Sequence, residues 1–130
     1  MQGWGQSATA AAQAAIYGEF FACTAESVAD GPQVLRLDGE FSAYALRSVR
    51  KALHELHLEA DARLLVDLTD VTFIDAAALE LLALQHRALT EQGGGLSVIC
   101  PNIDLRKTFL ITGLDHEFAV HTSLETALSR

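Results

Sequence analysis

Positive charge is scarce in this chain: 9 lysines and arginines stand against 17 aspartates and glutamates, a formal charge of -8. Nucleic acid and anionic membrane surfaces are repelled by such a balance and are disfavoured as partners. Cysteine is scarcer still. Cys23 and Cys100 are too few and too widely spaced for a disulfide framework or a CxxC metal site, so they are expected as buried free thiols of a reducing cytosol. A redox pair would require the two to meet across the fold. No apolar run approaches the ~20 residues of a membrane span. The N-terminal MQGWGQSATAAAQAAIYGE has neither a basic start nor a leucine-rich segment, which argues against a secretory signal. Residues 1–18 are expected to be a flexible tail or frayed helix. Residues 19–130 are expected to be one domain, with enough hydrophobic content for a single core.

The chain then reads in alternating elements. Phe21, Cys23 and Ala25 alternate within FFACTAES, Asp30-Gly31-Pro32 breaks the pattern, and QVLRL over Gln33–Leu37 resumes it, so the two segments predict a hairpin. After Asp38-Gly39, Ser42 is placed to cap a helix whose Leu46, Val49, Leu53 and Leu56 form one stripe. The opposite face, with Arg47, Arg50, Lys51, His54, Glu55 and Glu59, reads as solvated. Leu64–Leu68 is apolar except for Asp67, as expected of a strand covered on both sides. A short loop leads to Asp75, which caps a second helix reaching about Thr90. Gly93-Gly94-Gly95 ends that helix, Leu96–Cys100 is a buried strand, and Pro101-Asn102 opens a helix to about Thr112. Glu117–His121 is a short strand, and Ser123 caps a terminal helix. The order is ββαβαβαβα, an α/β fold with a mixed sheet and about four packed helices.

Function is expected where the central strand delivers the central helix, because open α/β sheets bind ligands on that rim and a helix start gathers unpaired N–H groups. Asp67, Asp70 and Asp75 lie there, which raises the prospect of a phospho-accepting acid pocket. Such a pocket needs a lysine after a late strand, and both lysines, Lys51 and Lys107, fall within helices. The histidines show no metal-ligand motif. The glycine triplet follows a helix and precedes a strand, the reverse of a phosphate loop. Ser42, Thr69 and Thr72 have no histidine near them in sequence, and Ala76, Ala77 and Ala78 offer only methyl groups and backbone N–H. No enzyme, metal or cofactor is expected.

LLVDLTDVTFID opening a helix, the GGGLSVIC strand, RKTFLITGLD and the closing EFAVHTSLETAL together resemble the STAS domain, the fold shared by bacterial anti-sigma factor antagonists and the cytosolic tails of sulphate transporters. The resemblance implies a cytoplasmic regulatory binding module. In the antagonist branch the central helix start docks on an anti-sigma factor, usually an ATP-binding kinase, which switches the antagonist off by phosphorylating a serine in the pattern Asp-Ser-Ser/Thr-Gly. Here that pattern is Asp75, Ala76, Ala77 and Ala78, so the phosphosite equivalent, Ala76, cannot take a phosphoryl group. Ser42 also replaces an aspartate of the family's Gly-Glu-Leu-Asp. The implied docking rim is Phe41, Ser42, Thr72, Phe73, Asp75, Ala76, Ala77, Ala78 and Leu79. Other branches imply a stressosome-type scaffold or an adaptor gripping an ABC ATPase. A nucleotide or anion sensor using the junction's N–H groups is a further alternative, and homodimerisation stays open.

Overall fold

The strands that carry the candidate rim are rich in apolar residues because both of their faces are covered. The computed structural model describes residues 10–16, 19–27 and 31–129. In chain order these form β1 (Ala10–Ile16), β2 (Glu19–Ser27), β3 (Gln33–Phe41), α1 (Leu46–Glu55), β4 (Arg63–Ile74), α2 (Ala76–Thr90), β5 (Gly95–Ile99), α3 (Ile103–Thr112), β6 (Val120–His121) and α4 (Leu124–Leu128). Short 3-10 turns precede α1 and follow α3. The sheet is six-stranded, and its strands lie in chain order. β1, β2 and β3 pair antiparallel, while β3 to β6 pair in parallel.

Alternation along β3 and β4 divides their side chains between two layers. Leu35, Leu37, Leu64, Val66 and Leu68 join the larger core with residues of α1, α2 and α3. Val34 and Leu65 point to the other side, where Ile99, Ala127 and the partly buried Leu124 cover them. The α1 stripe packs as expected, with Val49 buried and Leu46, Leu53 and Leu56 against the core. In α2, Leu79, Leu82 and Leu89 are buried, each worth about 1.5–3 kcal/mol of transfer free energy. That burial fixes the helix on the sheet.

Two sequence expectations change. Residues 10–16 are a strand, not a tail or frayed helix: β1 runs along β2 from Ala10↔Ala25 to Ile16↔Glu19. An alanine-rich run offers little polar contrast for a period of two to show, so only the free edge of β2 reveals the pairing. The remainder of the expected tail, residues 1–9 and 17–18, lies outside the described residues. The loop expected after Leu68 is also strand. β4 continues to Ile74 beside β3, with register shifts between Arg36 and Asp38 and between Gly39 and Glu40. Those shifts break the alternation, so Val71 and Ile74 are buried while Thr72 and Phe73 both face out.

The two cysteines sit on β2 and after β5, with β3 and β4 between. Three interstrand steps of ~4.8 Å put them about 14 Å apart, beyond disulfide reach, so the redox-pair alternative falls. Both are free and buried. Burial, aided by the Glu55 carboxylate, pushes the Cys23 thiol up to about 11, and burial raises that of Cys100.

Candidate functional site

β3 and β4 end together, with Phe41 opposite Ile74, and each passes directly into a helical turn. One carboxylate holds both turns. Asp75 Oδ1 accepts the Ala78 N–H at 2.9 Å and so caps α2. Its Oδ2 accepts the Ala43 N–H at 2.9 Å, in the turn before α1. The Asp75 N–H donates to the Phe41 carbonyl at 3.3 Å. Ser42 Oγ accepts the Tyr44 N–H at 3.3 Å and caps its own 3-10 turn. The rim is therefore a rigid backbone junction built around a single aspartate, which supplies anionic charge at two helical N-termini.

The expected rim residues divide by depth. Phe41 and Ala78 are 0% exposed, Leu79 is 6% and Ser42 is 8%, so these four form the floor and shape the surface from below. Thr72, Phe73 and Ala76 are exposed, and Asp75 and Ala77 are half-buried. Phe73 keeps 47% of its surface in water, and Tyr44 on the neighbouring turn keeps 57%. Tyr44 is not among the residues expected from sequence. A signal for it exists there: an aromatic two positions beyond a capping serine lies on the outward side of the first turn. The Thr72 hydroxyl donates to the Gly39 carbonyl at 3.4 Å.

The three acids do not converge. Asp67 is buried within β4, where it accepts the Thr69 N–H at 3.0 Å and the Thr69 hydroxyl and lies 4.0 Å from Arg36 Nε. Asp70 is exposed and Asp75 is committed to capping. Among the described residues no three of His, Cys, Asp and Glu gather as metal ligands. His86 serves the fold, since its Nδ1 accepts the Leu96 N–H at 3.1 Å, tying α2 to β5, and its ring meets the edge of Phe118. Open grooves of about 300 and 510 Å³ lie at the other end of the sheet, near Asp61 and Gly93–Gly95. What the rim presents to solvent is mainly the rings of Tyr44 and Phe73, the Ala76 methyl and the Thr72 side chain.

The family model for the STAS domain matches residues 25–127. No curated protein matches in sequence. Among solved structures, an anti-sigma factor antagonist from Mycobacterium paratuberculosis superposes with a TM-score of 0.73 at 24% identity, over 85% of this chain and 95% of that one. The anti-sigma factor antagonist SpoIIAA in its unphosphorylated form gives 0.65 at 21% identity, over 81% and 92%. The Bacillus cell fate determinant SpoIIAA in the phosphorylated form gives 0.61 at 21%, over 81% and 96%. At these identities the likeness establishes the fold.

Proposed function

The chain belongs to the STAS domain family, and from that premise we propose that it is a non-enzymatic regulatory binding protein of the anti-sigma factor antagonist kind. It works in the cytoplasm and docks on an ATP-binding, kinase-like anti-sigma factor through the start of α2. Among the described residues no helix is long and apolar enough to cross a membrane. The observation that carries the reading is the rim itself: exposed Tyr44, Phe73 and Ala76 on a junction locked by Asp75. Exposed aromatics on a rigid frame favour protein contact, since they bury much area at little entropic cost. With Ala76 in the phosphosite position, docking has no serine switch at that point and stays permanently competent.

Three measurements test this. A pull-down from native lysate, identified by mass spectrometry, should return a kinase-like anti-sigma factor, and return of an ABC ATPase would establish the adaptor reading instead. Ala76→Glu should weaken the captured partner's affinity by more than about 1 kcal/mol, because it buries an unpaired charge at the contact. Unchanged affinity would move docking off this rim. Incubation with the kinase and ATP should leave the intact mass unchanged; a phosphate on Ser42, Thr69 or Thr72 would refute the loss of switching.

A further inference from the structure

α1 is the cationic element of an acidic chain, carrying Arg47, Arg50, Lys51 and His54, with His57 just beyond its end. Arg50 and His54, four apart, share one face of α1, and the His54 and His57 rings stand 6.0 Å apart. That face walls an open groove of about 500 Å³ between α1 and α2, with Leu53, Leu58 and Leu81 as its floor. No carboxylate appears among the described residues of this lining, although the adjoining groove, which shares His57 and Leu58, is bordered by Glu59 and Asp61. Beneath the floor, sharing Leu53, Leu81 and Gln85, lies a void of about 10 Å³ among core side chains such as Val49, Leu64 and Val66. His57 also stands at φ +50, directly after the helix end, where glycine would sit without strain.

We propose that this groove binds a single-chain fatty carboxylate. The head is held by the Arg50 guanidinium, which matches a carboxylate with paired N–H donors, and by N–H groups of His54 and His57, which neutral imidazoles can donate. The tail lies over Leu53, Leu58 and Leu81. An acidic peptide would satisfy the cations but leave the aliphatic floor uncovered. The site lies toward the C-terminal half of α1, away from Ala76, and stands independently of the docking reading.

The test is titration of the full chain with decanoate below its micelle concentration, followed by calorimetry and by methyl NMR of Leu53 and Leu81. Saturable binding that shifts those methyls is expected, with decanol and inorganic phosphate each weaker by about tenfold or more, equivalent to 1.4 kcal/mol. Arg50→Ala should weaken decanoate by roughly threefold to fivefold, the range of one exposed charge pair. His57→Gly should raise the urea midpoint by relieving the backbone while weakening decanoate by about threefold or more, a divergence that a purely structural histidine would not produce. Phosphate binding as tightly as decanoate overturns the proposal. So does a decanoate affinity within about twofold of wild type in both variants.

Discussion

The two ends of α2 meet the sheet in opposite ways. At its start the junction is made by a side chain: Asp75 reaches the Ala43 and Ala78 N–H groups, and the neighbouring Ala76 looks into solvent. At its end the junction is made by backbone against backbone. Gly94 N–H donates to Leu89, Gly95 N–H to Ala62 and Asp61 N–H to Gln92, at 2.9, 3.0 and 2.8 Å. A Cβ on Gly94 would stand 2.0 Å from the Ala62 carbonyl oxygen. One end thus excludes a side chain at Gly94 on steric grounds, while the other leaves Ala76 exposed to solvent. An exposed position such as Ala76 can vary without disturbing the packed core.

Glycine substitutions give the sharpest break. Gly94→Ala should cost about 3 kcal/mol or more, since the obstacle is backbone and cannot rotate away. Gly93→Ala meets only Asp61 at 3.6 Å but must hold φ +89, and should cost about 1 kcal/mol. Gly95→Ala meets the His86 ring at 3.7 Å, an ordinary contact, and should change little. Urea midpoints rank the three; equal losses would show that the end of α2 is not sterically locked. At the start, Asp75→Ala should cost about 2 kcal/mol through loss of two caps. Amide exchange should quicken at Ala43 and Ala78 together. Faster exchange at Ala78 alone would mean that the aspartate serves only α2.

This asymmetry is unevenly legible in the sequence. The glycine triplet and the Asp75 cap can be read there because turn chemistry and capping are local. The reach of Asp75 to Ala43 cannot, because it spans 32 residues and depends on how β3 and β4 end together. The register shifts beside Arg36 and Gly39 likewise hide the extension of β4 to Ile74. Of the rim expected from sequence, Phe41, Ala78 and Leu79 are buried, and the exposed Tyr44 on the neighbouring turn is not among the expected residues. β1 escapes a sequence reading because alanine carries almost no facing information.

A smaller effect separates stability from recognition at the open end. Ala76→Glu places a carboxylate in the first turn of α2, where the positive helix end favours it by about 0.3–1 kcal/mol. The urea midpoint should therefore stay level or rise while partner affinity falls. A midpoint that falls with affinity would mean that position 76 is structural, and would erase the contrast with Gly94.

The smallest effect concerns a tie beside the locked end. In the last turn of α2, Arg87 donates from Nε and Nη2 to Glu117 at 2.7 and 3.1 Å, on the turn that follows α3. The hydrogen bond from Arg87 holds the Glu117 carboxyl below its ordinary value. An acid lowered in the fold contributes stability that is present above its unfolded value, about 4.3, and disappears as pH falls through the lower folded value. The pair is exposed, so the contribution is small and screened by salt. Glu117→Gln should accordingly melt slightly below wild type at pH 7, and the gap should narrow as pH falls below about 4.3 and in 1 M salt. A gap that persists under both conditions would assign the tie to packing rather than charge, and the locked end of α2 would then owe nothing to side-chain electrostatics.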